Sequence, residues 1–347
     1  DKWNQKITKQ VSRRMLFLKE YVVQLMKKRP NIFGKRTLLG FMPDWNPAEM
    51  IGVVPHPLAM SLYRELITKR VWSYAREKMG YRKMPNVELM VSLFGRVYID
   101  VRNSINSFLP AVLSDSIAEK VSNAYINRLD KNPHLHDKIE FDVVHTAYDF
   151  DFEKNFQDRY PEILRKDELF EYKESLKDIT RKAIKNDDKS SLNIAILDIE
   201  KLKKIQNDKV KLENNPFSIA DRINTLIDEC KKYGTLPFSI IARHGFIAEN
   251  LLRSAVSNNA ISIERINIFK RSFNTIAGEM SNDFQKVLKN QLSKEDFLIK
   301  YGHLRPGSYD ILSLNYANRK DLFDGSPTDQ PEKIIKFELT SSEKLLI

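Results

Sequence analysis

Two potential cations two residues apart, His303 and Arg305, lie within Tyr301-Gly302-His303-Leu304-Arg305-Pro306-Gly307-Ser308-Tyr309-Asp310. Glycine and proline hold this stretch in an irregular loop. Where 303–305 is extended, the imidazole and the guanidinium project to one side as two donors for an anion, and Leu304 turns to the other side as an anchor. The same residues can serve the fold alone, with Arg305 capping a helix end or pairing with a core acid and His303 holding a backbone carbonyl. Both readings stand on these residues, although loops carry function more often than packing.

Two other places set polar chemistry on apolar elements. Leu89–Phe94 and Val97–Arg102 flank Gly95-Arg96, the Gly-X pattern of a type II′ hairpin. Strand alternation then gives Tyr98, Asp100 and Arg102 one face, which meets solvent, a partner or a ligand, or forms cross-strand ion pairs. After Pro237, a helix carries Ile241, Gly245, Ala248, Leu252 and Ala255 on one stripe and Arg243, Asn250 and Arg253 opposite. Phe246, Ile247 and Leu251 make that helix apolar around much of its circumference, so burial is expected, and its arginines then need acidic partners or a ligand. His134, His136 and Asp137 invite a metal, but a polar loop without further spaced ligands is more simply solvated or capping, and no metal site is expected.

The elements that must position these groups read as mostly helical. A chain of 347 residues with 42% hydrophobic, 30% charged and 11 glycine residues fits an α+β protein, predominantly helical with a small antiparallel sheet, in two lobes. Residues 1–36 read as a basic amphipathic helix and linker, and 37–150 as an α+β lobe holding a strand at 37–41, a helix over 57–79, the hairpin, a helix over 114–129 and a strand at 138–145. In 161–213, mixed charge with a thin seam of Leu164, Leu176, Ile179, Ile194, Leu197, Leu202 and Ile205 predicts a projecting charged hairpin within 151–215. Residues 216–318 read as a helical lobe of three helices ending in the Gly-His-Leu-Arg-Pro-Gly loop, and 319–347 as an exit linker. Asp44 or Asn46 is placed to cap a helix starting at Pro47.

Composition narrows the function classes. Cys230 is the single cysteine, which excludes an internal disulfide and a cysteine-based zinc site. No apolar run approaches the roughly 20 residues of a spanning helix, so a cytoplasmic protein without membrane contact is expected. A chain that begins at Asp1 reads as a segment of something longer. Of the net charge of +11, residues 1–36 hold +9, with eleven Lys/Arg against two acids. The body therefore lacks the basic stripe with interleaved aromatics that tracks phosphates, and nucleic acid is kept only as a minor reading.

Five stretches together resemble the middle region of phosphoenolpyruvate-synthase-like phosphotransferases: Phe41–Gly52 (FMPDWNPAEMIG), Tyr98–Phe108 (YIDVRNSINSF), Leu135–Phe141 (LHDKIEF), Ala242–Ser254 (ARHGFIAENLLRS) and Tyr301–Ile311 (YGHLRPGSYDI). The match runs from about residue 35 to 315 and is similar in particular to the surface-polysaccharide branch, which includes the L-glutamine kinase of capsular phosphoramidate synthesis. The resemblance implies a larger ATP- and Mg2+-dependent enzyme in which an ATP-grasp domain phosphorylates a swivelling histidine. Neither segment is in this sequence, so the phosphohistidine is expected outside it, with no cofactor in this chain and no activity from it alone. The middle region would then hold the acceptor, L-glutamine, with Arg102, Arg243, His244, Arg253, His303 and Arg305 around the phosphoryl and carboxylate groups and Asp100 or Glu249 on the ammonium. The resemblance also allows a non-catalytic scaffold that braces the outer domains. His303 and Arg305 are expected to meet Arg102 and the 243–253 helix across one cleft.

Overall fold

The structure, a computed structural model, describes residues 2–207, 216–305, 310, 312–324 and 336–346, with side chains described from residue 5 and outside 206–219 and 345–347. The order is α1 (Lys2–Met26), β1 (Leu39–Gly40), α2 (Pro47–Ile51), α3 (Pro57–Tyr63), α4 (Val71–Lys78), β2 (Met90–Leu93), β3 (Arg96–Asp100), α5 (Val101–Ser107) and α6 (Asp115–Lys131). It continues with α7 (Phe152–Arg159), α8 (Lys166–Ile184), α9 (Ser191–Asn207), α10 (Pro216–Glu229), α11 (Leu236–Ser257), α12 (Ile263–Arg271), α13 (Ile276–Leu288), α14 (Lys294–Tyr301) and α15 (Ser341–Leu346). Helices dominate, and the three strands form one antiparallel sheet in the order β1-β3-β2. The backbone divides into two compact units, Asp1–Leu251 and Leu252–Ile347.

In the first unit the chain is built around α5, every residue of which is buried. Asp100 ends β3 and caps this helix: its Oδ1 accepts from Asn103 N at 3.2 Å and from Thr37 Oγ1 at 2.6 Å. A helix with polar residues buried all round has to find partners for them. Asn106 exchanges hydrogen bonds with the Phe33 backbone, and Asn103 donates to Glu88 O. The apolar positions Val101, Ile105 and Phe108 pack with Ile117, Val121 and Tyr125 of α6 and with Tyr172 and Leu176 of α8. Beneath the sheet lies a second cluster of Trp72, Leu89, Met90, Val97 and Ile99. A third joins Ala75, Met79 and Tyr81 to Ile179 of α8 and to Ile240 and Ile247 of α11.

Several local expectations are corrected. The hairpin turns through Phe94 and Gly95 rather than Gly95-Arg96, with φ of 52° and 74°, the two left-handed residues of a type I′ turn. Phe94 is 69% exposed, so its ring gains little from burial while its backbone is strained. Phe94→Asn, which suits that conformation, is expected to raise stability by about 0.5–1 kcal/mol in urea unfolding; a loss would show that the ring holds the turn. Residues 138–145 are not a strand. Ile139–Val143 form a π-helical turn closed by Val144 N donating to Ile139 O at 2.7 Å, with Ile139 and Val143 buried. The 57–79 helix is broken by a π-turn at Arg64–Thr68. The charged segment forms α8 and α9, but α8 buries Tyr172, Leu176 and Ile179 in the core and does not project. Gly234 does not stop a helix, since a π-turn at Cys230–Thr235 runs on into α11.

The second unit has its own small cores. Ala255, Ile261 and Ile266 pack with Phe337 and Leu339, and Val287, Phe297 and Tyr301 pack with Phe284, Leu304 and Phe323. Thr275 caps α13 through Gly278 N, which splits the expected third helix at 272–275. Gly302 has no room for a side chain, since a Cβ there would lie 2.3 Å from Leu298 O. Residues 306–309 and 311 of the opening loop lie outside the described residues.

Candidate functional site

Within the first unit, α2, α4, the π-turn at 139–143 and α11 surround a cavity of about 610 Å³. Its buried side carries four charges. Arg76 from α4 grips Asp44 in a fork, Nη1 to Oδ2 at 2.8 Å and Nη2 to Oδ1 at 2.6 Å, and Nη1 also reaches Ser107 Oγ at 2.5 Å. Ser104 Oγ donates to the same carboxylate at 2.7 Å. Arg243 from α11 lies with Nη1 3.0 Å from Glu140 Oε2 and donates through Nη2 to Thr146 Oγ1 at 2.8 Å. The two pairs are linked, because Arg76 Nη2 is 3.9 Å from Glu140 Oε1. Both guanidinium groups lie over the Phe108 ring, at 3.8 and 5.2 Å.

Two arginines against two carboxylates make this quartet formally neutral, which is what allows it to be buried. Burial pushes the Glu140 carboxyl above its usual range, and the two guanidinium groups act against that shift. Burial opposes the charge on Arg76, but Asp44 outweighs it and holds that guanidinium protonated. Among the described residues Arg243 Nε has no hydrogen-bond partner, and Arg243 Nη1 and Glu140 Oε2 meet as an ion contact without an aligned hydrogen bond. The quartet therefore retains one donor edge and one acceptor oxygen of unused capacity.

The loop that delivers Asp44 is itself unusual. Asp44, Trp45 and Asn46 have consecutive positive φ of 51°, 56° and 25°. Such backbone persists only where the surroundings over-determine it. Here Arg76 fixes Asp44, the Tyr63 hydroxyl donates to Trp45 O, and Asn46 caps α2 by accepting from Glu49 N at 3.1 Å. Asn46 is the cap; Asp44 is the ion partner. The outer wall is aromatic: Trp45 faces Phe238 with ring centroids 6.1 Å apart, and Phe141 faces Phe246 at 5.4 Å. Glu49 and Asp137 add two exposed carboxylates to the lining.

Of the residues expected to bind substrate, Arg243 lines this cavity. It reaches the buried side because α11 buries the face of Ile240, Arg243 and Ile247; of the stripe expected from the sequence, Gly245 and Ala248 are exposed, Ile241 and Leu252 are half-buried and Ala255 is buried. Arg102 is in α5 rather than in a strand, and it does not share a face with Tyr98. Its guanidinium donates to the backbone oxygens of Leu25, Lys27 and Gly34 at 2.9, 2.9 and 3.3 Å, and burial holds its pKa down. Arg102 and Asp100 therefore hold the fold. His244 shares a hydrogen bond of 2.9 Å with Ser191 Oγ, and burial lowers its pKa. Glu249 is half-buried and Arg253 exposed on α11. In the second unit, Leu304 packs on the Phe297 and Tyr301 core while His303 and Arg305 are exposed.

Asp44, Arg76 and Glu140 were not singled out from the sequence as ligand-binding groups. A signal existed for Arg76, which follows Ala75 and precedes Met79 on the helix face buried by Trp72. Among the described residues no three His, Cys, Asp or Glu side chains are placed to hold a metal ion, and no helix is long and apolar enough to cross a membrane. Comparison with protein-family models, with curated proteins and with solved structures finds no match to this chain.

Proposed function

We propose that this chain is the acceptor-binding part of a phosphohistidine-using phosphotransferase, and that the cavity holds the acceptor, L-glutamine, for phosphorylation of its side-chain amide. One observation carries the reading. Three of the five stretches that resemble the phosphoenolpyruvate-synthase-like enzymes, distant in sequence, line this cavity, and a fourth packs behind its buried charges. FMPDWNPAEMIG supplies Met42, Asp44, Trp45, Asn46, Glu49 and Met50; LHDKIEF supplies Asp137, Ile139, Glu140 and Phe141; ARHGFIAENLLRS supplies Ala242, Arg243 and Phe246. YIDVRNSINSF supplies Ser104 and Ser107, which hydrogen-bond the Asp44–Arg76 pair, and Phe108 beneath both arginines.

The phosphoryl group comes from ATP and Mg2+ chemistry on other segments of the parent enzyme. The residues of this chain bind the acceptor, orient it and exclude water around it. A neutral quartet of fixed charges suits a neutral zwitterion. Arg243 and Glu140 line the cavity side by side, with charges of the signs that an α-carboxylate and an α-ammonium group would meet. The scaffold reading draws on Arg102, whose Nη1 and Nη2 donate to backbone oxygens.

Isothermal titration and thermal shift of this chain with L-glutamine separate the two. Saturable binding is expected, with stabilisation of about 2.7 kcal/mol once the ligand reaches a hundred times its Kd. Phe246→Leu, which removes a ring of the wall but keeps an apolar side chain beside Phe141, is expected to weaken binding severalfold in a variant that still unfolds cooperatively in urea. No heat and no shift with L-glutamine would favour the scaffold.

A further inference from the structure

We propose that α1, with the tip of the β2–β3 hairpin, is a docking surface for an anionic lipid bilayer, lying along the headgroup layer without crossing it, whatever the cavity binds. Ile7, Val11, Met15, Leu18, Val22 and Leu25 recur at steps of three and four residues and form one stripe along α1. The fold covers only the C-terminal end of that stripe. Leu25 is buried and Leu18 and Val22 are half-buried, whereas residues 5–17 are all exposed, Ile7, Val11 and Met15 among them. Beside the open part stands Phe94, 69% exposed at the hairpin tip and held at a positive φ. With Phe17, which is 68% exposed, and with Arg13, Arg14 and Leu18, it lines a groove of about 450 Å³. A phenylalanine kept at a strained, exposed turn position is a cost to the fold, and such departures from what the backbone favours mark surfaces kept for a partner.

Charge says what covers this face. Residues 2–19 hold six Lys/Arg and no acid. Lys6, Lys9 and Arg13 project from the side opposite the stripe at helical spacing, and among the described residues no acid lies within ion-pair distance of them or of Arg14. A helix is about 10–12 Å across, so even the far cations stay within about one Debye length of a surface that the stripe touches. A second copy packed stripe to stripe would set Arg14 and Lys19 of each chain along one interface, with no acid among residues 2–19 to answer them. A nucleic acid answers the cations and leaves Ile7, Val11, Met15, Phe17 and Phe94 in water. An anionic bilayer answers both, because its headgroups meet the cations and its acyl boundary takes up protruding rings without needing a complementary hole. Such a helix lies on a bilayer without spanning it, so the lack of a spanning helix among the described residues, on which the expectation of no membrane contact rested, does not bear on this surface.

Flotation of the whole chain with lipid vesicles tests this. Affinity for phosphatidylcholine vesicles containing about 30% phosphatidylserine is expected to exceed that for phosphatidylcholine alone by about tenfold or more, and to fall about tenfold or more on raising the salt to about 0.5 M. Lys6→Gln/Lys9→Gln/Arg13→Gln and Phe17→Ser/Phe94→Asn, altered at exposed positions only, are each expected to lose about tenfold or more in affinity while still unfolding cooperatively in urea. An unaffected Phe17→Ser/Phe94→Asn chain overturns the inference, since charge alone would then hold the protein to the vesicle. A dimer in sedimentation that Val11→Ser/Met15→Ser abolishes assigns the stripe to a second copy, and tighter binding to a short DNA duplex than to the anionic vesicles assigns the cations to nucleic acid; either result overturns it. Equal affinity of the native chain for the two kinds of vesicle overturns it without any variant.

Discussion

Arg76→Met is expected to cost about 3–5 kcal/mol of folding stability, the size typical of removing one partner from a buried ion pair. Methionine keeps much of the stem volume against Trp72 and Phe108, so the loss reports charge and hydrogen bonds more than a cavity. What remains is the Asp44 carboxylate, with a side chain 2% exposed, retaining Ser104 Oγ but losing both guanidinium contacts. Glu140, 3.9 Å away, loses part of its positive surroundings as well. Asp44→Asn keeps the left-handed backbone and the Ser104 contact while removing the charge. The Arg76→Met/Asp44→Asn double variant is therefore expected to be more stable than the sum of the two single losses implies, by about 2 kcal/mol in a double-mutant cycle. Urea unfolding measures all four corners. A loss below about 1 kcal/mol for Arg76→Met would mean that water enters the quartet and the charges are not buried in solution.

The sequence made the class of fold legible, and the places where it misled share a cause. Apolar periodicity located most helices, but it assumes one face per element, and α5 has none: Arg102, Asn103 and Asn106 are as buried as Val101 and Ile105. Read as an extension of β3, that segment gave Arg102 an outward face, when Asp100 caps a helix there and turns the arginine onto backbone oxygens. The π-turns at 64–68, 139–143 and 230–235 are further cases, since an extra residue in a turn shifts the periodicity on which strand or helix assignments depend. The need of a buried α11 for acidic partners was legible. Which acids answer it was not, because Asp44 and Glu140 come from loops about 200 and 100 residues earlier and pairing at that range leaves no local pattern. The sequence left Asp44 and Asn46 both open as the cap of α2; Asn46 takes that role, and Asp44 turns to Arg76.

The same core that buries polar groups sets a pH limit on the first unit. His145 is buried among aromatic rings, 5.1 Å from Phe152, 5.7 Å from Phe156 and 6.4 Å from Tyr160, and its Nε2 has no hydrogen-bond partner among the described residues. Burial, with Arg159 and Arg128 adding repulsion, lowers its pKa to about 3. The folded chain thus keeps the ring neutral while the unfolded chain protonates it below about 6.5. Below that pH the unfolded state binds the extra proton, so the stability this residue allows is fully present above 6.5 and falls as the pH drops toward 3. At 1.36 kcal/mol per pH unit, the loss from this one group between pH 7.5 and pH 4.5 is about 3 kcal/mol. Asp149 works with the opposite sign: burial pushes its carboxyl up to about 6, so its contribution favours low pH and declines as the pH rises through that value. The two partly cancel in the native chain between pH 4 and 6, and the difference between chains is the clean readout. His145→Leu keeps the backbone hydrogen bonds of residue 145 to Tyr125 and Tyr172 and has no titrating group. Its stability relative to the native chain is expected to rise by about 3 kcal/mol between pH 7.5 and pH 4.5 in urea unfolding. A difference that stays flat over that range would mean that His145 takes up its proton in the folded state and that the aromatic pocket admits water.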